Sequence, residues 1–258
     1  MYVSSTSRWH FSATSKLTRS KIKLSSASSF EMEDGASVIN CHIELYNSVL
    51  TIAKGVRLQN VHIKLDNGNM CVGEQASLKK YNIEISNGTL IIGQACIFEQ
   101  GYNALVPDVL ISNGQLEVGS HNIIKANFWI RFGGIATIGD YNCINELTEI
   151  RCDEHVEIGS FNLISYECNI WDTNTHANYT LEDVEKKMVL DFPNIGAEHI
   201  KPLSKPVSIG SNVWIGKRAT ILKGSQLNNS SRVGVGAIVA GKVLLSNQTV
   251  VAASSKIF

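Results

Sequence analysis

His176 closes the run Trp171-Asp172-Thr173-Asn174-Thr175-His176 and stands directly before a polar segment, residues 177–206. An imidazole, with its ordinary pKa near 6.5, suits the removal of a proton from a hydroxyl at neutral pH. A general base of this kind contributes typically ~10²–10⁴-fold to a rate. Asp172 is a carboxylate that can orient such a ring and stabilise its cation; its alternative reading is an exposed turn aspartate. Trp214 offers an indole N–H donor, or is a core or surface aromatic. Lys217 and Arg218 stand together on a turn, where they can meet phosphate or carboxylate, or remain solvated. By position alone, capping a turn is the favoured reading of His176. His199 lies within the polar segment, and His10, His42, His62, His121 and His155 read as structural. No two histidines have the H-x₄-H spacing usual in a three-histidine zinc site, so no metal is expected.

The elements that position these residues come from a repeat. Phe30, Leu50, Met70, Leu90, Leu116, Ala136 and Val156 head seven segments, 20 residues apart except for one step of 26. Two residues on stands another apolar side chain, then usually glycine: Gly73, Gly93, Gly119, Gly139 and Gly159. Eight after each head come Val38, Leu58, Leu78, Phe98, Ile124, Ile144 and Ile164. Between these columns the pattern alternates apolar and polar, as strands do. Turn pairs such as Asn67-Gly68, Asn87-Gly88 and Gly133-Gly134 close each segment. A fixed short period means stacked units, none able to bury its apolar side alone. Each segment is therefore one coil of three short strands and three corners. Asn122, Asn142 and Asn162 recur in one column and read as an amide ladder or as residues fitted to left-handed backbone. The 26-residue step holds an extra stretch, "QGYNALVP", expected to leave one corner as a loop. Residues 177–206 break the pattern, carry helical charge spacing in "LEDVEKKM", and form a segment ejected from the solenoid.

Composition limits the function classes. Lys plus Arg and Asp plus Glu number 23 each, so no electrostatic case exists for nucleic acid or an anionic membrane. No apolar run approaches the roughly 20 residues that span a bilayer. The first 29 residues are basic and rich in serine and threonine, and read as an N-terminal cap, with residues 30–258 as the solenoid domain. The six cysteines form no CxxC pair and are expected to be reduced, buried thiols.

At "VSIGSNVWIGKRATILKG" the chain resembles the hexapeptide-repeat acyltransferases, in particular those that acetylate sugars and capsular or surface polysaccharides. The earlier "IWDTNTH" is similar to the same group's "D-T-x-x-H" ending. The motif-level resemblance spans about residues 156–242. It implies an all-β, left-handed parallel β-helix with one ejected loop containing a short helix. It further implies a homotrimer with intersubunit active sites and acetyl-coenzyme A as donor. His176 then matches the general base and Trp214 the site tryptophan, with Asp172 as candidate orienter. The small turn residues beside the coenzyme match Ala219 and Ala237; Lys242 matches the family's basic residue, and Lys217 and Arg218 form a cationic rim. The expected acceptor is a hydroxyl of a sugar or polysaccharide, and the expected location is cytoplasmic. N-acetylation of an amino sugar and a non-catalytic scaffold remain open as alternatives. Two departures bear on the coenzyme site: the chain has "VVAASSK" at 250–256, without the family's Gly-Asn-Pro turn, although Lys256 keeps the family's lysine, and "QLNNSSRVGVGA" replaces a regular final coil.

Overall fold

Twenty residues cannot enclose a core, so the apolar side of each coil must be covered by its neighbours. The computed structural model describes residues 2–3, 7–19, 21–24, 27–40, 42–60, 62–99 and 109–251. Among these, the strands form three parallel sheets of eleven strands each, and every coil gives one strand to each sheet. The result is the parallel β-solenoid that the repeat predicts. Its three flat sides are called here the head face, the second face and the third face, in the order the chain visits them.

Register follows the sequence columns directly. Phe30 pairs with Leu50, Leu50 with Met70, Met70 with Leu90, and Leu90 with Leu116 across the longer step. Leu116, Ala136, Val156 and Val207 continue the line. All of these side chains are buried, as is the column from Val38 to Ile164. Identical phase in every coil puts apolar side chains directly above one another, which is how a parallel stack excludes water. Within residues 1–29, strands Arg8–Phe11, Lys16–Thr18 and Lys21–Leu24 already pair with the next coil. The "QGYNALVP" stretch, Cys41 and Lys256 lie outside the described residues.

Close coil-to-coil approach explains the glycine column. The N–H groups of Gly93, Gly119, Gly139 and Gly159 each donate to the next coil at 2.7 Å. A Cβ on Gly139 would lie 2.4 Å from Ser160 Oγ and 2.9 Å from the carbonyl of Gly159. The asparagine column is a buried ladder. Asn122 Oδ1 accepts from Asn142 N at 2.8 Å, Asn142 Oδ1 from Asn162 N at 2.9 Å, and Asn162 Oδ1 from Val213 N at 2.7 Å. Among the described residues the cysteines are free thiols; Cys96, Cys152 and Cys168 are buried, whereas Cys71 is exposed and Cys143 half-buried. The expectation of buried thiols therefore fails at Cys71, which points outward from its strand.

The ejected segment departs after strand Asn169–Trp171, at the corner between the third and head faces, and the chain re-enters at Val207–Ile209. It carries the one α-helix among the described residues, α1 (Leu181–Asp191). Thr180 caps it by accepting from Asp183 N at 3.2 Å, and Glu182 and Asp183 favour its N-terminal dipole. None of its side chains is buried. After the segment the coil shortens: Ile209 pairs with Leu227, 18 residues on, and the buried rungs Val207, Val213 and Ala219 stand six residues apart.

Candidate active site

The base of the ejected segment is held by charge and hydrogen bonds. Arg131 donates from Nε and Nη2 to the two oxygens of buried Asp153, at 3.0 and 2.9 Å. Thr173 Oγ1 donates to Asp153 Oδ2 at 2.7 Å and accepts from Thr175 N at 3.1 Å. Arg131 Nη2 also reaches the carbonyl of Thr175 at 3.4 Å. Thr175 sits at φ 69°, in the left-handed region that a β-branched residue rarely enters. The surrounding bonds over-determine this strained residue, and it aims the next one, His176.

His176 meets Glu198. Nδ1 of the imidazole lies 2.8 Å from Glu198 Oε1. The carboxylate's other oxygen accepts from Tyr179 Oη at 2.8 Å and from Ala177 N at 3.4 Å. The ring is 61 % exposed, while the Glu198 side chain is 2 % exposed. With Nδ1–H given to the carboxylate, Nε2 keeps its lone pair for a proton. Burial alone would push the Glu198 carboxyl up; hydrogen bonds from His176, Tyr179 and Ala177, with the charge of Lys187, hold it below its ordinary value. The Tyr179 hydroxyl moves up in turn, chiefly because it donates to Glu198. Lys187 is fixed by Asp191 at 2.6 Å and by the carbonyl of Ala197. These residues wall a hollow of about 570 Å³ between α1 and residues 195–198, with His176 and Glu198 on its lining.

Asp172 does not meet the imidazole. It is fully buried, and its two oxygens accept from the N–H groups of Asp153, Glu154 and His155 at 2.8, 2.8 and 2.7 Å. Burial pushes its carboxyl up against those three bonds, and the neighbouring Asp153 charge adds to the rise. The strand-to-bend geometry turns it toward the preceding coil, so it ties the corner where the segment leaves. His199 pairs with Asp191 at 3.1 Å and stands apart from the dyad.

The remaining site candidates fall elsewhere on the prism. Trp214 lies on the second face, opposite the corner that carries His176, and is 52 % exposed. Lys217 and Arg218 project from the corner between the second and third faces, where both pair with Glu167 at 2.9 and 2.6 Å. Those bonds hold the Glu167 carboxyl below its ordinary value. Ala219 and Ala237 follow in the same corner, with side chains buried in the core. Their methyl groups face inward, so what they contribute at the surface is a corner without projecting side chains. Lys242 is exposed on the third/head corner, on His176's side of the prism. Trp171 lies half-buried on the third face beside Arg151, whose guanidinium is 5.1 Å from its ring centre. Among the described residues no cluster of His, Cys, Asp or Glu could hold a metal ion, and no helix is long and apolar enough to cross a membrane.

Glu198 is the functional candidate that the sequence patterns miss. Its one sequence signal is its place in the segment that breaks the repeat.

No family model matches the chain. It is similar to the putative lipopolysaccharide biosynthesis O-acetyl transferase WbbJ of Escherichia coli (strain K12), at 30 % identity over 110 residues, covering 43 % of this chain and 53 % of that protein. The chain thus spans about half the length of this curated relative. Among solved structures, the chain is similar to the polySia-specific acetyltransferase NeuO, at 18 % identity and TM-score 0.49, covering 81 % of this chain and 75 % of that one. The polysialic acid O-acetyltransferase OatWY follows at 19 % identity and TM-score 0.39, covering 95 % and 87 %.

Proposed function

We propose that the chain is an O-acetyltransferase that moves an acetyl group from acetyl-coenzyme A to a hydroxyl of a sugar or surface polysaccharide. The observation that carries this reading is the His176–Glu198 pair, an exposed imidazole on a buried carboxylate at the mouth of a hollow. The likeness to WbbJ, itself described as an O-acetyl transferase, supports the same chemistry.

Nε2 of His176 takes the proton of the acceptor hydroxyl as its oxygen attacks the thioester carbonyl; the C–S bond then breaks and the thiol leaves with a proton. Glu198 keeps the ring in the tautomer that leaves Nε2 free and stabilises the imidazolium as it forms. The indole N–H of Trp214, with no partner among the described residues, is suited to the developing oxyanion. Lys217, Arg218 and Lys242 supply cations for the phosphates of the donor, and Ala219 and Ala237 leave the corner open for its arm.

His176 and Trp214 occupy opposite sides of one prism, so a site that uses both needs two chains. The ejected arm exposes Leu181, Val189, Leu190 and Phe192, and the second face exposes Ile97, Ile123, Leu163 and Trp214. Two apolar surfaces on opposite sides favour a head-to-tail contact, which closes as a ring. On this reading the protein is a homotrimer with intersubunit sites, and the donor places it in the cytoplasm.

The direct test is thiol release from acetyl-coenzyme A in the presence of a panel of sugars and polysaccharides, with mass gain on the acceptor. His176→Ala is expected to lower turnover by ~10²–10⁴-fold. A folded variant with full turnover removes His176 from the mechanism.

A further inference from the structure

The third/head corner is hollowed below the ejected segment. A groove of about 420 Å³ runs there across four coils. Asn67, Asn87 and Asn113 line it at the corner, and Asn69, Thr89 and Gln115 line it on the head face. The latter three are register partners in successive strands, so each coil presents the same kind of polar pair. Glycine backbone forms part of its lining. A Cβ on Gly88 would stand 2.4 Å from Ile111 Cγ2, and one on Gly114 would stand 2.4 Å from the carbonyl oxygen of Gly134, so neither position admits a side chain.

The groove's chemistry is specific in two ways. No charged side chain lines it. The amides of Asn67, Asn69, Asn87 and Asn113 and the hydroxyl of Thr89 are engaged by no other described residue. Side-chain amides offer two donors and one acceptor each, which match hydroxyl and acetamido groups and give no advantage to an anion. Coils repeat at ~4.8 Å, close to the length of one unit in an extended sugar chain. At its upper end the groove is bordered by Gly133 and Ile135. The same corner holds Arg131, which bonds to the carbonyl of Thr175, the residue before His176.

We propose that this groove binds several consecutive units of an extended, uncharged glycan, the acceptor chain whose terminal portion reaches His176. The direction toward His176 rests on the acetyltransferase reading; the binding itself does not. The occupant is a polymer because the polar groups repeat coil by coil, and it is uncharged because no cation faces the groove.

The test is binding of the full chain to an array of neutral and anionic oligosaccharides of one to six units, followed by titration with the best neutral hexasaccharide. Affinity is expected to rise with length among the neutral glycans. The double variant Asn87→Ala/Asn113→Ala removes polar partners, and Thr89→Trp fills the groove. Each is expected to raise the dissociation constant at least tenfold, with an unchanged melting curve. Asn87 and Asn113 do not have positive φ, so alanine strains neither site. His176→Ala is expected to bind as the parent does, which separates this inference from the catalytic one. Retention of no neutral glycan, equal affinity for one unit and six, preference for anionic glycans, or unaltered binding in both folded groove variants would each overturn it. Absence of glycan binding by the parent chain, alongside its acetyl transfer to a monosaccharide, would remove the groove and leave the enzyme.

Discussion

His176 and Glu198 meet at 2.8 Å across 22 residues of ejected chain. A buried carboxylate thus fixes an exposed ring: the residue at which the repeat stops is paired with one from the segment that breaks it. On the proposed mechanism, Glu198→Gln keeps an acceptor for Nδ1–H but loses the charge opposite the imidazolium. Turnover is expected to fall by about 10²-fold, with the Michaelis constant for the donor little changed. Steady-state kinetics on the folded variant check this; undiminished turnover would show that the carboxylate only shapes the loop.

Glu198 also makes the order of the segment depend on pH. Its carboxyl is held below the ordinary value of 4.5, so its contribution is fully present above that pH and is lost as pH falls through the lower, folded value. Amide exchange in residues 177–198, corrected for the intrinsic rate, is expected to stay slow from neutral pH down to about 4.5 and to accelerate only below it. Loss of protection between about pH 6 and 5 would contradict the bonding pattern around Glu198.

Trp214 and His176 lie on opposite sides of one prism, which gives the intersubunit proposal a complementation test. Trp214→Ala and His176→Ala are each expected to be nearly inactive. Unfolded together and refolded as a mixture, they are expected to regain part of the parent activity, because some interfaces then join an intact His176 to an intact Trp214. No recovery from a mixture that does exchange subunits would place the two residues in separate roles.

Asp172 has a structural part despite its place four residues before the histidine. Removing its carboxylate leaves three N–H groups without their acceptor. Asp172→Ala is therefore expected to lower the unfolding free energy by about 3 kcal/mol, measured as a shift in the urea midpoint. An effect on turnover without loss of stability would return Asp172 to the chemistry.

Gly139 tests how tightly the coils approach. Its Cβ would meet Ser160 Oγ at 2.4 Å and the Gly159 backbone at 2.9 Å. Backbone cannot yield as a flexible side chain can, so Gly139→Ala is expected to cost ~1–3 kcal/mol by overpacking. Thermal or urea unfolding checks this, and a neutral outcome would mean that neighbouring coils separate freely.

Much of this protein is legible in the amino-acid order because a parallel solenoid repeats its contacts. Leu50 touches Met70 for the same reason that Met70 touches Leu90, so one period in the sequence reports the register of all three sheets. The asparagine ladder and the glycine column follow from the same periodicity, and His176 stands out because it marks the point where that period stops. Glu198 was not legible, since its pairing depends on how an aperiodic segment folds back on itself. Nor was the fate of Asp172: spacing alone does not say whether a carboxylate turns toward a ring four residues on or down onto the previous coil. The separation of Trp214 from His176 was settled by coil phase, because a few residues decide which side of the prism a strand occupies. Local repetition writes its geometry into the sequence; a site built from a loop and an opposite face exists only once the chain has closed its corners.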